Sequence, residues 1–264
     1  MSGGAIIELK GVGKSFDGGL SSAVDGVSLT VETGAFLALV GASGSGKTTT
    51  LKMINRLAEP DRGEVLVEGA PAGALPAAEL RRRIGYVFQG IGLFPHLSVA
   101  ENIGITPALL GWSRADVEAR TRELLDLVGL PRGYGPRPPA ALSGGERQRV
   151  GVARALAARP RIVLMDEPFG ALDPVTRDGL GGAYRALHDQ LGLTTVMVTH
   201  DMQEAILLAD RIAVMRQGRL VAEGGPGELA SASADPEVRA LLDMPRRQAE
   251  RVRARLGDQD RGHG

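Results

Sequence analysis

The stretch Gly41-Ala42-Ser43-Gly44-Ser45-Gly46-Lys47-Thr48 constrains this chain more than any other. Its spacing is G-x-x-x-x-G-K-[ST], and its flanks give that spacing meaning. Before it, residues 35–40 form a nearly continuous apolar run, too short for a helix and suited to a buried strand. After it, Leu51, Ile54 and Leu57 recur at helical spacing, which predicts a helix over 48–57. A strand that passes through a glycine-rich loop into a helix predicts a phosphate cradle, because glycines let backbone N–H groups turn inward where side chains would obstruct them. Lys47 is then expected to reach β- and γ-phosphates, Thr48 to offer its hydroxyl to Mg²⁺, and the helix to present its positive end.

A second loop-like run, Gly11-Val12-Gly13-Lys14-Ser15, fails the same test. Glu8 stands where the first glycine belongs, and a carboxylate there repels phosphate, so a strand and turn are predicted. Phe16 follows, and from its segment alone it reads equally as a core residue or as an aromatic that stacks on adenine.

Phosphate-loop enzymes need a carboxylate at the end of a neighbouring buried strand. Residues 161–165 predict that strand, and Asp166-Glu167 end it. Asp166 is expected to hold Mg²⁺ directly or through water, and Glu167 to orient and deprotonate an attacking water. A solvated acidic pair is the plainer alternative. Farther upstream, Ser143 is expected to cap a helix running to 158, and Gly144 and Gly145 leave that helix start bare enough for an anion. Since 41–48 wraps its own phosphates, the geometric answer for a second anion site is a nucleotide held by another subunit.

Organisation supports one α/β unit. Strands are predicted at 5–9, 24–31, 35–40, 63–68, 84–88, 161–165, 194–199 and 211–215, with helices at 174–191 and 201–209. From about 98 to 159 the periodicity is mostly helical, Ser98 and Glu101 predict a capping box, and a Pro/Gly-rich break at 131–139 divides two helical stretches. The expected fold is therefore α/β: a phosphate-loop core with a mainly parallel sheet, an antiparallel β part at its N-terminal end, and an inserted α-helical subdomain at about 90–160. Residues 5–244 are expected to form this domain, and 245–264, dense in arginine, a charged flexible tail.

Composition enters by exclusion. The chain has 264 residues and no cysteine, which removes disulfides, thiolate metal sites and a cysteine nucleophile. Its 31 basic and 31 acidic side chains balance, which removes the usual electrostatic argument for binding nucleic acid. No apolar stretch reaches the roughly 18 residues of a membrane span, and the N-terminus lacks signal-peptide features, so a cytoplasmic location is expected.

Taken together, these residues resemble the ATP-binding subunits of ABC transporters. Leu142–Gln148 resembles the family signature; Gln89, after 85–88, the Q-loop; Ala171-Leu172-Asp173, the D-loop; and Thr199-His200-Asp201, the switch histidine, all in family order. The resemblance implies ATP contacts from Phe16, Gly41, Ala42, Ser43, Gly44, Ser45, Gly46, Lys47, Thr48 and Thr49. It implies a catalytic set of Glu167, His200 and Gln89, and Mg²⁺ held by Thr48, Gln89 and Asp166. Two copies would close head to tail, with Ser143, Gly144, Gly145 and Glu146 of one facing the ATP of the other. Hydrolysis would reopen them and move membrane permease subunits.

A finer resemblance, to importers of osmoprotectants such as glycine betaine, choline or carnitine, lies in 52–60, 84–98 and Leu110-Gly111-Trp112. It implies an extracytoplasmic solute-binding protein and a place on the inner face of the membrane, with no nucleic-acid partner. Some members of that subfamily carry paired CBS domains after the ATPase; only about 20 residues follow Met244 here, so that module is not expected. Phe94, Pro95, His96 and Leu97 suit either a socket for a permease helix or ordinary subdomain packing. An importer of another solute, such as an amino acid or sulfonate, and a soluble ABC ATPase without transport are the alternatives.

Overall fold

A computed structural model describes residues 4–90, 92–170, 172–232 and 235–257. The chain begins with two long antiparallel strands, β1 (Ala5–Ser15) and β2 (Ser22–Glu32), and then enters β3 (Phe36–Val40) and α1 (Lys47–Ile54). Next come β4 (Arg62–Val67), β5 (Ala70–Pro71), α2 (Ala77–Arg83) and β6 (Ile84–Val87). Three helices follow without a strand: α3 (Val99–Leu109), α4 (Arg114–Leu127) and α5 (Gly144–Leu156). Strands return as β7 (Ile162–Asp166), β8 (Thr194–Val198) and β9 (Arg211–Arg216), separated by α6 (Pro174–Leu191) and α7 (Met202–Leu208). The described chain ends with β10 (Arg219–Gly224), α8 (Pro226–Ala232) and α9 (Pro236–Gly257).

The strands form two sheets, an antiparallel one ordered β2-β1-β4-β5 and a larger one ordered β10-β9-β3-β8-β7-β6. In the larger sheet every pairing is parallel except β9 with β10. Three of its interior strands, β3, β8 and β7, are buried at all five positions, as strands covered on both faces must be. Successive side chains of β3 feed two cores: Phe36, Ala38 and Val40 pack toward α3–α7, while Leu37 and Leu39 pack toward α1 and the antiparallel sheet. That arrangement is the α/β core expected from the sequence, and α3–α5 interrupt it between β6 and β7.

Helix starts carry the capping chemistry. Ser98 and Glu101 form the expected capping box on α3, and Ser143 with Glu146 forms a second on α5. No helix among the described residues is long and apolar enough to cross a membrane.

Two expectations are corrected. The run 11–15 does not turn away; it extends β1 to Ser15 through bulges that shift the register against β2. The tail expected from 245 is helical through Gly257, because α9 starts at Pro236 and runs on through Pro245; residues 258–264 lie outside the described residues. Val238 and Leu242 are buried and Leu241 packs beside them, which anchors the first half of that helix to the core. Ala249, Val252 and Leu256 prolong the same helical spacing into a segment whose many arginines masked it.

Candidate active site

The loop after β3 is shaped by what lies behind it. Gly41 has φ 147°, and a Cβ there would come within 2.1 Å of the Met215 carbonyl oxygen. Gly46 has φ 98°, and its Cβ would meet the Ala23 carbonyl oxygen at 2.4 Å. Only glycine fits either place. Lys47, 6% exposed, folds over the loop and donates to the carbonyls of Gly41 and Ala42, both at 2.8 Å. Burial lowers the pKa of its ammonium, with Glu167 and Asp166 opposing that shift.

Thr48 and Asp166 meet directly. The Thr48 hydroxyl donates to Asp166 Oδ1 at 2.8 Å, joining the start of α1 to the end of β7. Asp166 is 3% exposed, and burial raises its pKa against the pull of Thr48, Lys52 and Lys47. A hydroxyl beside a carboxylate is the oxygen donor set that Mg²⁺ takes from a protein when phosphates supply the rest. Among the described residues no cluster of three or more His, Cys, Asp or Glu forms a closed metal cage.

Glu167 is the next residue and sits at φ 46°, a left-handed conformation that a glutamate rarely adopts. Its backbone N–H donates to the Val198 carbonyl at 3.0 Å, which fixes the end of β7 against the end of β8. Two other elements reach its carboxylate: Gln89 Nε2 donates to Glu167 Oε2 at 3.1 Å, and His200 Nδ1 lies 3.5 Å from the same oxygen. Two residues from separate elements thus converge on one carboxylate oxygen of a third.

Phe16 is 69% exposed, which rules out the core reading. The turn that presents it is fastened by Lys14 Nζ on Asp61 at 2.6 Å and by Asp17, whose carboxylate accepts from the Ser15 and Ser21 hydroxyls and the Ser21 N–H. Asp173 caps α6 by accepting from the Thr176 N–H at 3.0 Å; its neighbour Ala171 lies outside the described residues.

The signature residues stand apart. Ser143 Oγ accepts from the Glu146 N–H at 3.2 Å, the Ser143 N–H donates to Glu146 Oε2 at 2.7 Å, and the Tyr134 hydroxyl donates to Glu146 Oε1 at 3.0 Å. Among the described residues these four make no hydrogen bond to the loop at 41–48. One chain therefore brings together Lys47, Thr48, Gln89, Asp166, Glu167 and His200, and Ser143 to Glu146 stand outside that cluster.

Two neighbouring features go beyond the sequence reading, which marked only the Phe94 end of the second. A cavity of about 720 Å³ opens beside the loop, lined by Ser43, His200, Met215, Val238, Leu241 and Met244. Its far wall is α9, which was not expected to be there. A groove of about 390 Å³ runs between core and helices, lined by Leu57, Phe88, Phe94, Ile105, Leu109 and Arg154. Buried Asn102 holds its edge by accepting from the Phe94 N–H at 2.8 Å and donating to the carbonyls of Phe94 and Leu97 at 3.1 Å. A buried asparagine inside an apolar helix is the signal that could have marked that groove.

Residues 24–170 match the family described as ABC transporter. The chain is 51% identical over 237 residues to the glycine betaine uptake system ATP-binding protein YehX of Escherichia coli (strain K12), covering 90% of this chain and 76% of that one. It is 47% identical over 241 residues to the choline transport ATP-binding protein OpuBA of Bacillus subtilis (strain 168), covering 91% of this chain and 63% of that one. Among solved structures it is similar to the dimeric post-hydrolysis state of the ATP-binding cassette MJ0796 bound to ADP and Pi, with TM-score 0.76 and 34% identity, covering 83% of this chain and 98% of that chain.

Proposed function

As this chain belongs to the ATP-binding family of ABC transporters, we propose that it is the ATP-hydrolysing subunit of an importer for an osmoprotectant of the glycine betaine, choline or carnitine type. The observation that carries the catalytic reading is the meeting of Gln89 and His200 on Glu167, beside the Thr48–Asp166 pair.

In this reading ATP lies along Gly41, Ala42, Ser43, Gly44, Ser45, Gly46 and Thr49, with its adenine on Phe16 and Lys47 at its β- and γ-phosphates. Bound Mg²⁺, held by Thr48, Asp166 and Gln89, supplies charge neutralisation on the phosphate oxygens. Glu167 Oε2 orients a water and takes its proton as the water oxygen attacks the γ-phosphorus and the bond to the β-phosphate oxygen breaks. His200 contacts the γ-phosphate, and Gln89 links the attacking water to the groove beside Phe94. Ser143, Gly144, Gly145 and Glu146 of a second copy close over the same ATP, and Asp173 lies at that junction.

The partners proposed are a second copy of the chain, permease subunits whose helix enters the groove lined by Phe94, and an extracytoplasmic solute-binding protein reached through them. The place proposed is the cytoplasmic face of the membrane. None of the ATPase residues can touch the solute, so the solute class rests on similarity to YehX and OpuBA. The test is uptake of labelled glycine betaine and choline in cells at high osmolarity, with and without this gene. Loss of that uptake supports the reading; intact amine uptake with loss of sulfonate or amino-acid uptake overturns the solute class and keeps the ATPase.

A further inference from the structure

Arg177, in the first turn of α6, has no part in the phosphate chemistry above, yet its guanidinium joins separate pieces of the site. One terminal nitrogen donates at 3.1 Å to the carbonyl of Leu172, the residue before Asp173. The other donates at 3.1 Å to Asp201 Oδ2, on the residue after His200. Its Nε lies 3.6 Å from Glu204 Oε1, and Glu204 Oε2 accepts from the Thr199 hydroxyl at 2.6 Å. That hydroxyl oxygen in turn accepts from the Asp201 N–H at 3.0 Å. The residues on both sides of His200 are therefore tied, directly or through Glu204, to one planar cation whose contacts are directional.

The other end of this linkage reaches the signature. A Cβ on Gly145 would lie 3.1 Å from Thr176 Cγ2 and 3.8 Å from Leu172 Cδ2, so the segment 172–176 packs against the start of α5. The same segment carries the Asp173 cap on Thr176, and the Arg177 N–H donates to the Asp173 carbonyl at 2.9 Å.

We propose that Arg177 is a positioning residue that carries displacement of the signature helix start, through 172–176, to the turn holding His200, so that the two ATP sites of a dimer act together. This rests on the shared-site reading above, in which Gly145 faces the partner's ATP while His200 faces the ATP of its own chain. A planar guanidinium hydrogen-bonded to the Leu172 carbonyl and the Asp201 carboxylate passes on a shift that a looser contact would absorb.

The experiment is an ATP titration of phosphate release by the full chain, with ATP-analogue binding and Tm measured on the same samples. For Arg177→Gln the Hill coefficient is expected to fall from about 2 toward 1. Its kcat is expected to drop by roughly 10- to 100-fold, with analogue binding little changed. Glu204→Gln keeps an acceptor for Thr199 and removes one charge facing Arg177, so a smaller loss of cooperativity is expected. A merely structural role would lower Tm and rate and leave the Hill coefficient where it was, which overturns the inference. So does a wild-type chain that hydrolyses without cooperativity. If Arg177→Gln does not fold, the Hill coefficient of Glu204→Gln decides. Ser143→Arg separates the two readings: full hydrolysis by it sinks the shared site itself, whereas its inactivity alongside a fully cooperative Arg177→Gln removes only the role of Arg177.

Discussion

The two halves of the site are finished to different degrees within one chain. In the α/β core, side chains from α1, β7 and the ends of β6 and β8 already touch: Thr48 on Asp166, Gln89 and His200 on Glu167. In the helical region the start of α5 is equally well ordered, but its bonds close on itself through Ser143, Glu146 and Tyr134. The first half brings the residues of the proposed chemistry into contact with one another. The second shows only a satisfied helix cap, and the role proposed for it needs a second molecule. Good local geometry and visible function are separate properties.

The largest effect expected is on the core half. Lys47→Ala should lower ATP binding by at least about 100-fold in equilibrium titration, since it removes the cation that spans the loop. Retained tight binding would mean that backbone N–H groups alone hold the phosphates. Glu167→Gln should slow phosphate release by roughly 10²- to 10⁴-fold while ATP still binds, and a dimer should accumulate by size-exclusion chromatography. Full turnover would remove Glu167 as the base. On the helical half, Ser143→Arg should stop hydrolysis and spare ATP binding; loss of binding instead would place the signature inside its own chain's site and erase the contrast. Tyr134→Phe removes one donor to Glu146 and should cost about 1 kcal/mol in denaturant unfolding, with little change in ATP affinity.

The smallest effect expected separates the halves by acid. Buried His188 bridges Thr195 Oγ1 at 2.9 Å and the Gly34 carbonyl at 3.2 Å; the carbonyl needs a proton on Nε2, so Nδ1 accepts from Thr195. Burial, with Arg185 adding to it, holds the His188 pKa below the ordinary 6.5. The unfolded chain therefore takes up the proton first, and stability falls as pH drops below about 6.5. The helical region contains only His96, which is exposed. Comparing Tm across pH 7 to 5 for wild type and His188→Asn should show a flatter curve for the variant; equal slopes would exclude His188 as the cause.

The same contrast explains what could be read from sequence. Spacing alone marks the loop at 41–48, because its chemistry needs glycine, lysine and threonine in fixed order within one turn of chain. The strands β3, β7 and β8 are legible because burial on both faces forces uninterrupted apolar runs. The meeting of Gln89, Glu167 and His200 is not legible from spacing, since it depends on the order β3-β8-β7-β6 in the sheet. Gln89 and His200 are assigned from family resemblance, whereas Glu167 follows from its place after a buried strand that faces a phosphate loop. Beyond Pro245, α9 stayed hidden because arginines break the apolar stripe of Ala249, Val252 and Leu256, and a proline inside a helix reads as an ending. Arg177 gave no signal at all, as one arginine among many.

The glycines of the phosphate loop have a consequence for how the protein is made. Gly41 rests on Met215 and Gly46 on Ala23, while the Gly218 N–H donates to the Ser45 carbonyl at 3.1 Å and the Asp25 N–H to Gly218 at 2.8 Å. The loop is encoded near the N-terminal end, but its supports include residues synthesised some 170 positions later. A nascent chain released before residue 218 carries the complete loop sequence without the backing that shapes it. Chains truncated before Gly218 are therefore expected to bind ATP more weakly than the full chain, which equilibrium titration of purified truncations would check.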